Sequence, residues 1–123
     1  MVINIGLLKS KDYDAVRAEI EAIKKAIGDH VLKVIIETCS LTNEEKETAC
    51  TLAVEAKADF VKTSTGFGTG GATLEDVALM KRVVGDSAKI KASGGIKTHE
   101  QALKFIELGV SRIGTSSGPS LIQ

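Results

Sequence analysis

The sequence predicts an α/β fold of five alternating strand–helix units on a parallel sheet, and three observations predict it. Short β-branched runs recur at residues 2–6, 31–38, 59–65, 88–93 and 111–115. Between them lie stretches of helical periodicity, three of them closed by Gly28, Gly85 and Gly109. Hydrophobic residues make up 43% of the chain but aromatics only 3%, so the core must be built from Ile, Val, Leu and Ala. That composition suits parallel strands covered by helices. Such alternation implies right-handed crossovers and closes either as part of a (β/α)8 TIM barrel or as an open doubly wound sheet. No linker, charge block or low-complexity stretch divides the chain, so residues 1–123 read as a single domain.

Each element has its own signals. Residues 2–6 read as the first strand. Ser10 or Asp12 caps a helix running to Ile27, whose apolar positions Tyr13, Val16, Ile20, Ile23 and Ile27 share one face. Residues 31–38 form the second strand around Val34, Ile35 and Ile36. Thr42 and Glu45 have the spacing of a capping box, opening a helix with Ala49, Leu52, Ala53 and Ala56 on one side. The third strand, 59–65, runs into a glycine-rich loop from Gly66 to Gly71. Thr73 caps the next helix, which Gly85 stops, and strand four, 88–93, ends at Gly94 and Gly95. Thr98 and Gln101 make a second capping box, and strand five, 111–115, is followed by Ser116, Ser117, Gly118 and Pro119 as the start of a last helical turn.

Composition excludes several functions. Formal net charge is zero with both signs interspersed, so neither a nucleic-acid-binding patch nor an acidic disordered tail is expected. Cys39 and Cys50 lack metal-ligand or disulfide-framework spacing, which points to a reduced, cytoplasmic setting without a bound metal or cofactor. No apolar run is long enough for a membrane span, and no signal peptide is expected.

The chemistry concentrates at the strand ends, where α/β folds place their sites. Lys62 and Lys91 are lysines in apolar strands, each leading into hydroxyls and glycine. A desolvated lysine is costly as an ammonium but useful as a neutral amine that attacks a carbonyl. The competing structural reading is an ammonium that snorkels to water. Two lysines on consecutive parallel strands would each disfavour the other's charge. Lys33 and Glu37 share a strand face by the two-residue period, and an ion pair inside the sheet is the structural reading for them. Gly94 and Gly95 after one strand, with Ser116 and Ser117 after the next, have the form of a phosphate cradle. His30 and His99 read as surface residues; Cys39 follows a strand end, and Cys50 suits helix packing.

The segments 32–38, 59–66, 89–96 and 112–117, above all Val61-Lys62-Thr63-Ser64-Thr65-Gly66, resemble deoxyribose-phosphate aldolase in the order in which that family carries them. The resemblance covers the later part of a family member, from about its fourth to its eighth barrel strand. It implies a class I aldolase that reversibly cleaves 2-deoxy-D-ribose 5-phosphate into acetaldehyde and D-glyceraldehyde 3-phosphate, without a metal. It makes Lys62 the Schiff-base lysine, Lys91 the lysine beside it, Lys33 a further active-site lysine, and Gly94, Gly95, Ser116 and Ser117 the phosphate loops. Lys57 departs from the family, which commonly has glycine there; Pro119 departs from an apolar helix start; and the family's proton-transferring aspartate precedes the position of Val2. A five-stranded part of a barrel exposes two sheet edges and an inner face expected to be apolar, so a homo-oligomer that covers them is expected. The alternative function is a catalytically weak, self-assembling fragment that retains phosphate binding.

Overall fold

The computed structural model describes residues 1–65, 71–94, 96 and 98–114. The elements are α1 (Ile5–Lys9), α2 (Tyr13–Ile27), β1 (Lys33–Ile35), a 3-10 turn (Thr38–Ser40), α3 (Asn43–Glu55), β2 (Phe60–Lys62), α4 (Leu74–Val84), β3 (Lys89–Ser93), α5 (His99–Glu107) and β4 (Arg112–Gly114). The strands form one parallel sheet in the order β1-β2-β3-β4. Strand order therefore follows chain order, without the reversal that defines a doubly wound sheet, and the open-sheet alternative does not hold. The helices lie in the same sequence, α2 against α3, α3 against α4 and α4 against α5. This is an arc of a barrel wall.

The expected first strand is corrected. Val2 makes a single parallel bridge to Ile35, supported by the Ile3 amide donating to Ile35 O at 2.9 Å. Asn4 then ends the extended run, because its side chain accepts from the Leu7 amide at 3.0 Å and starts α1. Asparagine offers the backbone an alternative to the sheet ladder, and here the helix cap wins. Four of the five expected strands are thus present as strands, each shorter than expected.

The caps behave as expected. Asp12, and not Ser10, caps α2; Thr42 with Glu45 and Thr98 with Gln101 form complete capping boxes; Thr73 caps α4. Gly28 and Gly85 follow α2 and α4 at φ 60° and 54°, conformations costly for any residue with a Cβ.

Alternate strand residues Val34, Ile36, Val61, Ile90 and Ala92 are all within 1% of complete burial. They pack in one core with Val16 and Ile20 of α2, Ala49 and Ala53 of α3, and Val77 and Met80 of α4. Of the ion pairs that tie the helices in place, two are partly buried. Lys24 of α2 donates to Asp59 Oδ2 at 2.8 Å, and the same oxygen accepts from the Leu32 amide. Lys46 of α3 pairs with Asp76 of α4, with both side chains 12% exposed. Among the described residues, no helix is long and apolar enough to cross a membrane.

Candidate active site

The sheet face turned away from the helices carries the candidate residues. Register sets Ile35 beside Lys62, Lys62 beside Lys91 and Lys91 beside Arg112. One row toward the amino ends, Lys33 stands beside Phe60 and Phe60 beside Lys89. Adjacent strands lie about 4.8 Å apart, so Lys62, Lys91 and Arg112 rise from neighbouring backbones on one face. The Phe60 ring, 4% exposed, gathers further charge: Arg112 Cζ lies 4.6 Å from its centroid, Lys33 Nζ 5.7 Å and Lys89 Nζ 5.9 Å.

The inner face is therefore cationic, where an apolar one was expected. Five of its residues, Lys33, Lys62, Lys89, Lys91 and Arg112, are basic, and the ion pairs among the described residues all involve other cations. Partial burial first, and then the charges of Lys91, Arg112 and Lys62, hold the Lys33 amine below the ordinary lysine value. Lys33 and Glu37 form no ion pair.

Glu37 is committed elsewhere. It sits in the left-handed region at φ 53° and ψ 67°, and its carboxylate accepts from the Thr65 amide at 3.2 Å and the Thr65 hydroxyl at 2.7 Å. On the other side of β2, the Thr63 hydroxyl donates to Ser93 O at 3.1 Å and accepts from the Ser93 amide at 3.0 Å. The Ser93 hydroxyl donates to Ser64 O at 3.0 Å. The carboxyl ends of β1, β2 and β3 are thus joined through buried hydroxyls and one carboxylate.

Glycine positions decide two close approaches. A Cβ on Gly71 would collide with the Gly94 carbonyl group, and one on Gly94, itself at φ 82°, would lie 2.9 Å from Gly71 Cα. A Cβ on Gly114 would meet Ser93 Cβ at 2.9 Å and Lys91 Cε at 3.1 Å, so the missing side chain makes room for the Lys91 stem.

The structure therefore brings Lys62, Lys91 and Lys33 to one face and sets Gly94 at the carboxyl edge next to them. Gly95, Ser116 and Ser117, the rest of the expected phosphate cradle, lie outside the described residues, as does Pro119. His30 and His99 are exposed. Among the described residues no group of three or more His, Cys, Asp or Glu is placed to hold a metal ion. A cavity of about 630 Å³ opens at the amino ends of the strands, between Asp59, Phe60, Asp86, Lys89 and Arg112. It lies at the opposite end from the hydroxyl network, and we place the candidate site at the carboxyl ends, where polar donors converge and parallel α/β sheets hold ligands. Sequence reasoning missed the Glu37–Thr65 and Thr63–Ser93 contacts and the part played by Arg112. The two-residue period could have put Arg112 on a strand face, but which face and which neighbours depend on cross-strand register.

Residues 1–120 match the family described as DeoC/LacD family aldolase. The chain belongs to that family. It is 60% identical over 122 residues to the deoxyribose-phosphate aldolase of Brevibacillus brevis, covering 99% of this chain and 55% of that protein. It is 61% identical to that of Thermococcus kodakarensis, covering 100% of this chain and 56% of the relative. Among solved structures it superposes on a putative deoxyribose-phosphate aldolase from Coccidioides immitis with a TM-score of 0.95 and 42% identity, over 99% of this chain and 49% of that one. A tetrameric deoxyribose phosphate aldolase from Aeropyrum pernix gives a TM-score of 0.82 at 31% identity, over 89% of this chain and 48% of that one. The chain spans about half the length of the curated DeoC/LacD relatives it matches. That coverage agrees with an arc of four parallel strands taken from the wall of a TIM-barrel aldolase.

Proposed function

We propose that the chain carries the imine-forming machinery of a deoxyribose-phosphate aldolase, with Lys62 as the nucleophile. The observation that carries this reading is the register pair Lys62–Lys91 on a face whose cations have no ion-pair partner among the described residues. That register sets a second lysine next to Lys62 and pairs neither with a carboxylate among the described residues. The free amine is the form that adds to an aldehyde.

The substrate class is a phosphorylated 2-deoxy sugar in its open aldehyde form. The Lys62 amine adds to C1 and water leaves, giving a protonated imine. The C3 hydroxyl gives up its proton, the C2–C3 bond breaks, and its electron pair moves toward the iminium nitrogen. D-Glyceraldehyde 3-phosphate departs and an enamine remains. Protonation at C2 and hydrolysis then release acetaldehyde and restore the amine. In this reading Lys91 and Lys33 keep the surroundings of Lys62 positive, and Gly94 with Gly95, Ser116 and Ser117 offers amides and hydroxyls to the phosphate.

Borohydride reduction in the presence of acetaldehyde tests this. The intact chain gains the mass of a reduced two-carbon adduct at neutral pH, and Lys62→Ala does not. A wild-type chain that gains no mass rules the reading out.

A further inference from the structure

We propose that Glu37 is a positioning residue for the Lys62 amine, clamping the carboxyl end of β2 by holding Thr65 through both its amide and its hydroxyl. The inference rests on the imine chemistry proposed above and adds a residue to it.

Three observations converge. Glu37 adopts φ 53°, a conformation that a residue with a Cβ keeps only where its surroundings impose it, and one that recurs at functional sites. Its side chain is aimed by that turn. In a continued strand Glu37 would share the face of Lys33, within reach of several lysines. Instead both carboxylate oxygens face Thr65, with Cys39 Sγ 3.9 Å from Oε1, and the residue is only 8% exposed. Among the described residues Glu37 forms no ion pair with the lysines of this sheet, and its carboxylate is committed to Thr65 instead.

The third observation is what lies between the two partners. Thr65 is three residues beyond Lys62, and the intervening Thr63 and Ser64 are buried and tied to Ser93 on the far side. The Ile36 amide donates to Lys62 O at 3.0 Å and the Thr38 amide to Thr63 O at 2.9 Å. The strand end that bears the nucleophile is thus held from β3 by Ser93 and from β1 by Glu37. Removing the Glu37 carboxylate releases Thr65 on that flank while leaving the backbone bonds from Ile36 and Thr38, the lysine and its neighbouring cations in place.

The test combines borohydride trapping with a double-mutant cycle. Glu37→Gln keeps the shape but cannot accept from both Thr65 donors; Thr65→Val removes the hydroxyl, and Thr65→Ser restores it. Limiting trapping rate and half-saturating acetaldehyde concentration are measured for each, with Lys62 confirmed as the adduct site. Glu37→Gln and Thr65→Val are expected to lower the limiting rate by about tenfold to a hundredfold at unchanged half-saturation. The double variant should be no slower than the slower single variant, and Thr65→Ser should behave as wild type. Wild-type rates in Glu37→Gln, multiplicative losses in the double variant, or a slow Thr65→Ser overturn the clamp alone. Absence of any wild-type adduct overturns the imine reading, and the clamp with it.

Discussion

Lys57 follows α3 at φ 69°, in the left-handed conformation that terminates helices and that glycine adopts without strain. That geometry explains why the family resemblance places glycine at this position. Lys57→Gly is expected to stabilise the chain by about 1 kcal/mol, from relief of left-handed strain worth roughly 1–2 kcal/mol less the added freedom of the unfolded chain. Urea unfolding measures it, and a loss of stability contradicts it. The two thiols make a second contrast. Cys39 is exposed, whereas burial pushes the Cys50 thiol up to about 12. One thiol per chain should react rapidly with an aromatic disulfide reagent at pH 8, and peptide mapping should find it at Cys39. Rapid labelling of Cys50 in the folded chain contradicts its packing. The strand placement of Lys33, Lys62 and Lys91 was legible from local apolar patterning. The partner of Glu37 was not, because a single turn from extended to left-handed backbone redirects its side chain, and no local residue preference announces that turn.

At the scale of elements, capping residues were the most readable feature, since a cap is satisfied by residues two or three positions away. Strand one was misread because Val2 and Ile3 look like the start of a run that Asn4 in fact ends. The tie between α2 and β2 gives a pH-dependent prediction. Hydrogen bonds from Lys24 and from the Leu32 amide hold the Asp59 carboxyl below its ordinary value. A carboxyl lowered in the folded state contributes stability that is present above its unfolded value and lost as pH falls through the folded one. The stability advantage of the wild type over Asp59→Asn should therefore be constant above about pH 5 and shrink below about pH 4. An advantage that grows on acidification contradicts the assignment. Between α3 and α4, Asp76→Ala strands Lys46 in a site 12% exposed and should cost about 2 kcal/mol, intermediate between surface and fully buried pairs. Lys46→Met combined with Asp76→Leu should recover most of that loss, and a double variant as unstable as Asp76→Ala contradicts the pairing.

For the molecule as a whole, the parallel α/β class was legible from alternation alone, but the nature of its inner face was not. Lys33, Lys62, Lys89, Lys91 and Arg112 each look like an isolated charge in sequence; only register shows that they share one face. That charge changes what can cover the face. Two copies apposed through it would set like charges together, a repulsion that salt screens over about 10 Å at 0.1 M. Self-association through the inner face should accordingly strengthen as salt rises, as read by light scattering, and weakening with salt contradicts it. One amine among this group, Lys62, is the proposed nucleophile. Its most direct test is to reduce the chain with borohydride and acetaldehyde at neutral pH, digest it and locate the adduct. The prediction is a single modified site at Lys62, with Lys33, Lys89 and Lys91 unmodified. An adduct on Lys91, or one spread evenly over the four lysines, would contradict it.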